Sequence, residues 1–329
     1  MTLRKAVVHG MGHSVPAKVM TNDDLEKLVE TSDEWIVQRT GIKERRVTSD
    51  DESASTLAIA AAQEALANAK LDPADVNVVI CATVTGDYPF PATASLVQDA
   101  IGAKNAGAFD VGAACAGFIY ASAVGAGLLE SRQFENALVI GADVLTKFVD
   151  WTDRSTCVLF GDGAAAMVLK AEDNTDRGVM KTVLLSDGSG AKHIVVDAGG
   201  SKIPQSSPAY GAARKSIYMN GAETYRFAVT AMGDACCKVL ADAGLEASDV
   251  DLFVPHQANL RIIQSAAKRI GLPDEKVFVN VHKYGNTSGG SIPLGLYEAE
   301  KQGLLVPGKV VMTVGFGAGL VWGANLIRW

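Results

Sequence analysis

Aromatic side chains are scarce in this chain. Phe, Trp and Tyr make up 6% of its 329 residues, too few for an aromatic-lined binding module, whereas Gly alone contributes 33. Small residues in that number favour helices packed closely on sheets. A cationic surplus is lacking as well. Thirty Lys and Arg face 37 Asp and Glu, a net charge of -7, which excludes general nucleic-acid binding driven by phosphate neutralisation. No apolar run approaches the roughly 18 residues of a membrane-spanning helix. The first residues lack the apolar core of a secretory signal and read as a strand. Cysteine is sparse, and its pattern is uninformative of disulfides or zinc. Cys81, Cys115, Cys157, Cys236 and Cys237 make an odd set with no C-x-x-C spacing. Reduced thiols in a cytoplasm, with no metal, are the expectation. A dinucleotide fingerprint is also missing. His9-Gly10-Met11-Gly12 lacks a third glycine, and Pro16 follows where a helix should run.

What the sequence does hold is a cysteine in a telling place. Phe109-Asp110-Val111-Gly112-Ala113-Ala114-Cys115-Ala116-Gly117-Phe118 runs from a short strand through small residues into a helical pattern. A thiol there lies at a helix N-terminus, where unpaired N–H groups and the helix dipole favour thiolate. Two polar clusters in apolar surroundings accompany it, Val254-Pro255-His256-Gln257-Ala258-Asn259 and Tyr284-Gly285-Asn286-Thr287-Ser288-Gly289-Gly290. Taken singly, Cys115 reads as a small buried hydrophobe, His256 as a core histidine and Asn286 as a turn residue. Together they point to a nucleophile with two helpers. The other four cysteines read as packing.

The chain is internally duplicated. Leu66–Asn77 and Leu240–Asp251 agree at about half their positions, 174 residues apart, so two related βα halves are expected, at 1–172 and 173–329. Cys115 is expected to correspond to Asn286, and Phe160–Ala164 to Val314–Ala318. Buried-strand runs such as Ala137–Ile140 and Val310–Val314 alternate with helical patterns over about 54–69, 116–131, 221–243, 258–270 and 289–302. The class is α/β layers. Asp187–Pro208 reads as a long surface loop.

These segments resemble one family. Ala114-Cys115-Ala116-Gly117-Phe118, Pro255-His256-Gln257-Ala258-Asn259-Leu260-Arg261 and Gly285-Asn286-Thr287-Ser288 look like the catalytic segments of the β-ketoacyl-[acyl-carrier-protein] synthase III family. So do Thr31–Ile36, Arg39–Ile42, Asp153-Arg154 and Gly315-Phe316-Gly317-Ala318-Gly319. The resemblance implies a thiolase-like fold, layered α/β/α/β/α, and a homodimer. It implies decarboxylative condensation of an acyl-CoA primer with malonyl-acyl carrier protein, through an acyl-Cys115 intermediate and without a cofactor. His256 and Asn286 would hold the enolate oxyanion. The backbone of Cys115 and of Gly317-Ala318 would hold that of the thioester. Trp35, Arg39, Arg154 and Asn259 would bind CoA. Gln257, Arg261, Lys268, Arg269 and Arg226 would meet the carrier protein, the middle three partly because they share one helix face. Phe90 would line the primer pocket, often across the dimer interface, and favour a short primer such as acetyl. Ala222 departs from the polar or basic residue common in relatives. A secondary-metabolite acyltransferase and a non-catalytic scaffold are the competing readings, the latter disfavoured by the intact Cys, His and Asn.

Overall fold

The computed structural model describes residues 3–329. Its first sheet grows from the apolar run Val78–Ala82 (β4), buried at every position and parallel to both β5 (Gly107–Val111) and β6 (Asn136–Val144). Antiparallel β7 (Asp162–Asp173) and β1 (Arg4–Ser14) complete the order β1-β7-β6-β4-β5. The second sheet repeats this scheme with later residues. β11 (Leu252–Pro255) is parallel to β12 (Val310–Gly317), which is followed by antiparallel β13 (Val321–Arg328) and β8 (Gly178–Ser186). Two short ribbons, β2 (Val19–Thr21) with β3 (Glu44–Arg46) and β9 (Ile194–Val195) with β10 (Tyr218–Met219), lie outside the sheets.

Helices fill three layers. α3 (Ala54–Ala69) and α4 (Thr93–Ala100) pack on the outer face of the first sheet. α6 (Gly221–Ala243) and α7 (Leu260–Ile270) pack on the outer face of the second. α5 (Gly117–Glu130) and α9 (Ser291–Lys301) lie between the sheets, in one core that joins Ile80 and Val139 to Val254 and Val311. The order is α/β/α/β/α, as the resemblance implied. Each helix buries a stripe: on α7, Ile262, Ile263, Ala266 and Ile270 face inward. Full burial of an Ile contributes roughly 1.5–3 kcal/mol. Boundaries follow capping chemistry. Ser53 Oγ accepts the Thr56 N–H at the start of α3, and Asn220 accepts the Glu223 N–H at the start of α6. Four short helices were not foreseen: α1 (Asn22–Glu26), α2 (Asp33–Thr40), α4 and α8 (Val281–Tyr284). At one or two turns each, they carry too little periodicity to read.

The duplication is structural, with two corrections to the expected pairing. α3 and α6 both end on a left-handed residue, Lys70 and Gly244, then pass through 3-10 turns at Pro73–Asp75 and Ala247–Asp249 into β4 and β11. The turn holding Cys115, Ala114–Ala116, has as its counterpart Ser288–Gly290, 174 positions on. Ala114 and Ser288 both take positive φ, 44° and 49°. Cys115 therefore matches Gly289, and Asn286 precedes the second turn instead of lying in it. Likewise Phe160–Ala164 leads into β7, whereas Val314–Gly317 closes β12. Those segments are alike because both need glycine for close approach, not because they occupy equivalent places.

Candidate active site

The two turns meet where the sheets' central helices begin. β5 delivers the chain to Ala114–Ala116, and α5 starts at Gly117 directly after. Asn286 is fixed by backbone bonds to the entrance of β7: its N–H donates to Leu159 O at 2.8 Å, and its carbonyl accepts the Gly161 N–H at 3.0 Å. His256 follows β11, its N–H donating to Val314 O of β12 at 2.8 Å. Cys115, His256 and Asn286, 171 positions apart at the extremes, line one cavity of about 880 Å³.

The thiol is held in the resting form. Cys115 Sγ donates to Ser288 Oγ at 3.3 Å. Burial pushes the thiol up to about 12, with buried Asp143 adding to the rise, while the Ser288 hydroxyl and the Asn286 side chain pull the other way. The thiolate expected from the helix dipole is therefore not the ground state. A dipole worth about 0.3–1 kcal/mol shifts a titration by less than one pH unit, less than desolvation does here. His256 is 1% exposed, and burial lowers its imidazole to about 3, so it is neutral at any working pH. Neither ring nitrogen has a hydrogen-bond partner among the described residues. Phe316 meets the ring edge-on at 5.8 Å between centroids. Asn286 Oδ1 accepts the Ser288 N–H at 2.9 Å, which fixes the amide and turns its NH2 end to the thiol side. The arrangement offers a buried nucleophile, a neutral imidazole and an amide donor around one point, in surroundings dry enough to magnify each dipole.

Backbone packing supports that point. β12 ends against the cysteine turn so closely that a Cβ on Gly317 would lie 2.6 Å from Cys115 N and 2.9 Å from Ala114 Cβ. Gly317 and Ala318 line the cavity beside Cys115. Asp143, at 0% exposure, ties the halves together. Its Oδ2 accepts the Gly289 N–H at 2.9 Å, and its Oδ1 accepts from Thr85 Oγ1 at 2.7 Å and Val84 N at 2.9 Å.

The outer residues divide. Trp35 on α2 lines the cavity, with the Arg39 guanidinium 4.4 Å and that of Arg154 5.5 Å from its ring centre. Asn259 caps α7, accepting the Arg261 N–H, and its Nδ2 donates to Arg39 O at 2.9 Å, so it braces α7 against α2. Arg261, Lys268 and Arg269 are exposed along α7, as the helix spacing required, and Arg226 is exposed on α6. Arg269 faces Asp234 and Arg226 faces Glu223, each at 3.0 Å. Ala222 is exposed at the start of α6, outside the cavity that Gly221 and Thr224 line.

One assignment fails. Gln257 is 1% exposed and cannot touch a carrier protein. Its Nε2 donates to Pro255 O and Phe278 O, and its Oε1 accepts from Asn280 N and Val281 N. It is a buried brace between β11 and α8. Phe90, at 87% exposure, lies outside the cavity of its own chain, whose wall there is Tyr88 and Pro89, the placement of a residue that acts across a dimer interface. Asp187–Pro208 is also more than a surface loop. It contains a 3-10 segment and β9, and Ile194, Val195 and Val196 form part of the cavity wall. Ser288 and Asp143 were missed. The offset of 174 between Ala114 and Ser288 was the signal for the first; nothing in the sequence marked the second.

Known proteins place this geometry. Residues 109–188 match the family model described as 3-Oxoacyl-[acyl-carrier-protein (ACP)] synthase III, and residues 240–329 match its C-terminal model. The chain is 49% identical to a β-ketoacyl-[acyl-carrier-protein] synthase III of Symbiobacterium thermophilum, over 100% of this chain and 99% of that one. It is 48% identical to the enzyme so named from Listeria innocua, over 98% and 99%. The crystal structure of 3-oxoacyl-[acyl-carrier-protein] synthase III from Aquifex aeolicus superposes with a TM-score of 0.92 at 44% identity, covering 98% of this chain and all of that one.

Proposed function

The chain belongs to the 3-oxoacyl-[acyl-carrier-protein] synthase III family, and from that premise we propose that it condenses an acyl-CoA primer with malonyl-acyl carrier protein, with loss of CO2, to start fatty-acid synthesis. The carrying observation is the convergence of Cys115, His256 and Asn286 on one buried cavity. Cys115 takes the acyl group from CoA. Malonyl-acyl carrier protein then loses CO2, and the enolate oxyanion is held by an N–H of neutral His256 and the amide of Asn286. Neither donor gives up a full charge, which suits an intermediate that must remain a carbanion. The carbanion attacks the acyl-Cys115 thioester, whose oxygen is held by the Cys115 N–H and the Gly317-Ala318 backbone. The glycine-to-turn contact at Gly317 supports that placement. No cofactor is required, because the CoA thioester is itself a substrate.

Two guanidiniums within reach of the Trp35 ring support an adenine site, the base stacking between Trp35 and Arg154 with Arg39 near the phosphates. Asn259, which lines the same cavity and braces α2 against α7, completes the CoA site. Carrier docking falls to Arg261 and Lys268, with Arg269 and Arg226 already facing carboxylates. Two copies pair through β5. Among the described residues that strand has a neighbour on one side only, Phe109 is 37% exposed, and the start of α4, just after Phe90, is tied to β5 through Asp110. Phe90 then reaches a primer pocket only from a second copy. Five free cysteines support a reducing cytoplasm.

The test is a steady-state assay of several acyl-CoA primers with malonyl-acyl carrier protein, with labelled acyl groups mapped after digestion. β-Ketoacyl product and label on Cys115 are expected. Label on Cys81 or Cys157 with Cys115 free, or no CO2 release with any primer, would overturn the reading.

A further inference from the structure

Ser288 begins the turn that mirrors the cysteine turn, and three observations single it out. Its hydroxyl is the hydrogen-bond partner of the nucleophile, accepting from Cys115 Sγ at 3.3 Å. It is 1% exposed yet lines the cavity, and burying a hydroxyl costs free energy unless the group is used. Its φ of 49° is one that L side chains avoid. The turn itself does not need the hydroxyl, since Ala114 holds the equivalent backbone at 44° without one.

We propose that the Ser288 hydroxyl is a further catalytic residue, which accepts the hydrogen bond of the resting Cys115 thiol and rotates to donate one to the sulfur whenever it carries charge. The inference rests on Cys115 as the nucleophile. In acyl transfer the Cys115 S–H bond breaks and Sγ bonds the acyl carbon. The carbon–sulfur bond to CoA breaks, and the proton ends on the CoA sulfur. In condensation the new carbon–carbon bond forms, the Sγ–acyl bond breaks, and Sγ leaves as thiolate before taking a proton from solvent. Sulfur is therefore anionic once in each half-reaction. A hydroxyl can serve both states because it accepts from a thiol and donates to a thiolate. Asp143 keeps it in place by holding the adjacent Gly289 N–H. The Ser288 N–H in turn holds Asn286 Oδ1, so one residue positions the amide and meets the sulfur.

The test is the pH dependence of Cys115 alkylation by iodoacetamide, followed by peptide mass mapping, in the parent, Ser288→Ala and Ser288→Gly. Alanine suits the turn as Ala114 shows, and glycine removes the backbone strain, so at least one variant keeps the fold as read by melting temperature. The alkylation profile is expected to move to higher pH in both, with alkylation at fixed pH slower by about 10-fold, the value of one pH unit. Single-turnover acylation should slow by at least as much. A profile at the parent's position in a variant of parental melting temperature would overturn the proposal. Because iodoacetamide is not a thioester, this readout is independent of which substrates the enzyme takes. A shifted profile with no acyl label on Cys115 would refute the proposed function and leave the Ser288–Cys115 coupling standing.

Discussion

The turn at Ala114–Ala116 and the turn at Ser288–Gly290 share a backbone and differ in cargo. Both open on a residue at positive φ, both run straight into a central helix, and they lie 174 positions apart. The first carries a thiol. The second carries no nucleophile; its hydroxyl faces that thiol, and its leading segment supplies an amide. A duplicated fold brings its two equivalent turns together at the centre, so a site built there draws its parts from both halves. Divergence at matched positions then separates bond making from charge stabilisation. Cys115 is placed to make and break bonds, and Asn286 and Ser288 are placed to stabilise what forms.

Breaking the first turn should have the largest effect. Cys115→Ala is expected to abolish acyl transfer from CoA entirely, with no mass increase on incubation with acyl-CoA; an adduct of undiminished stoichiometry would show the thiol to be a bystander. The contact behind that turn comes next. Gly317→Ala places a methyl where Cys115 N lies 2.6 Å away, so the turn or β12 must give. Displacements near 1 Å cost on the order of 100-fold in rate. The variant should acylate that much more slowly while alkylation of Cys81 and Cys157 under denaturing conditions stays parental. Far from both turns, the effect should be small and confined to one substrate. Lys268→Glu on α7 is expected to raise KM for malonyl-acyl carrier protein several-fold, more at low salt than at high. KM for acyl-CoA should be unchanged. Equal effects on both substrates would remove α7 from the docking surface.

The contrast between the turns was half legible in the sequence. The repeat at Leu66–Asn77 and Leu240–Asp251, the run of small residues around Cys115, and the long helices over 54–69 and 221–243 all follow from local patterning. What failed was registration. Cys115 and Asn286 look equivalent in the sequence because both sit in small-residue turns after a strand, whereas backbone geometry pairs Cys115 with Gly289. Functional likeness and structural equivalence are separate properties in a diverged repeat. The thiol's ionisation was misread for a related reason. A helix start is visible in sequence, but the burial that outweighs it arises only when distant segments close over the turn, more than the hydrogen bonds from Ser288 and Asn286 can offset. Gln257 misled in the same way. The resemblance assigns it to the carrier protein, yet it spends both ends of its amide on buried backbone.

The division of labour between the turns is tested most directly by Asn286→Ala, with acylation and CO2 release measured separately in single turnover. The amide is aimed at a charge that forms only on decarboxylation, and loss of one such donor costs on the order of 100- to 1,000-fold. The variant is expected to take the acyl label at close to the parent rate and to release CO2 and β-ketoacyl product slower by that factor. His256→Ala should split the same way less cleanly, because the imidazole also walls the cavity in which Cys115 is acylated. Condensation by Asn286→Ala at the parent rate, or loss of acylation as complete as in Cys115→Ala, would contradict the account.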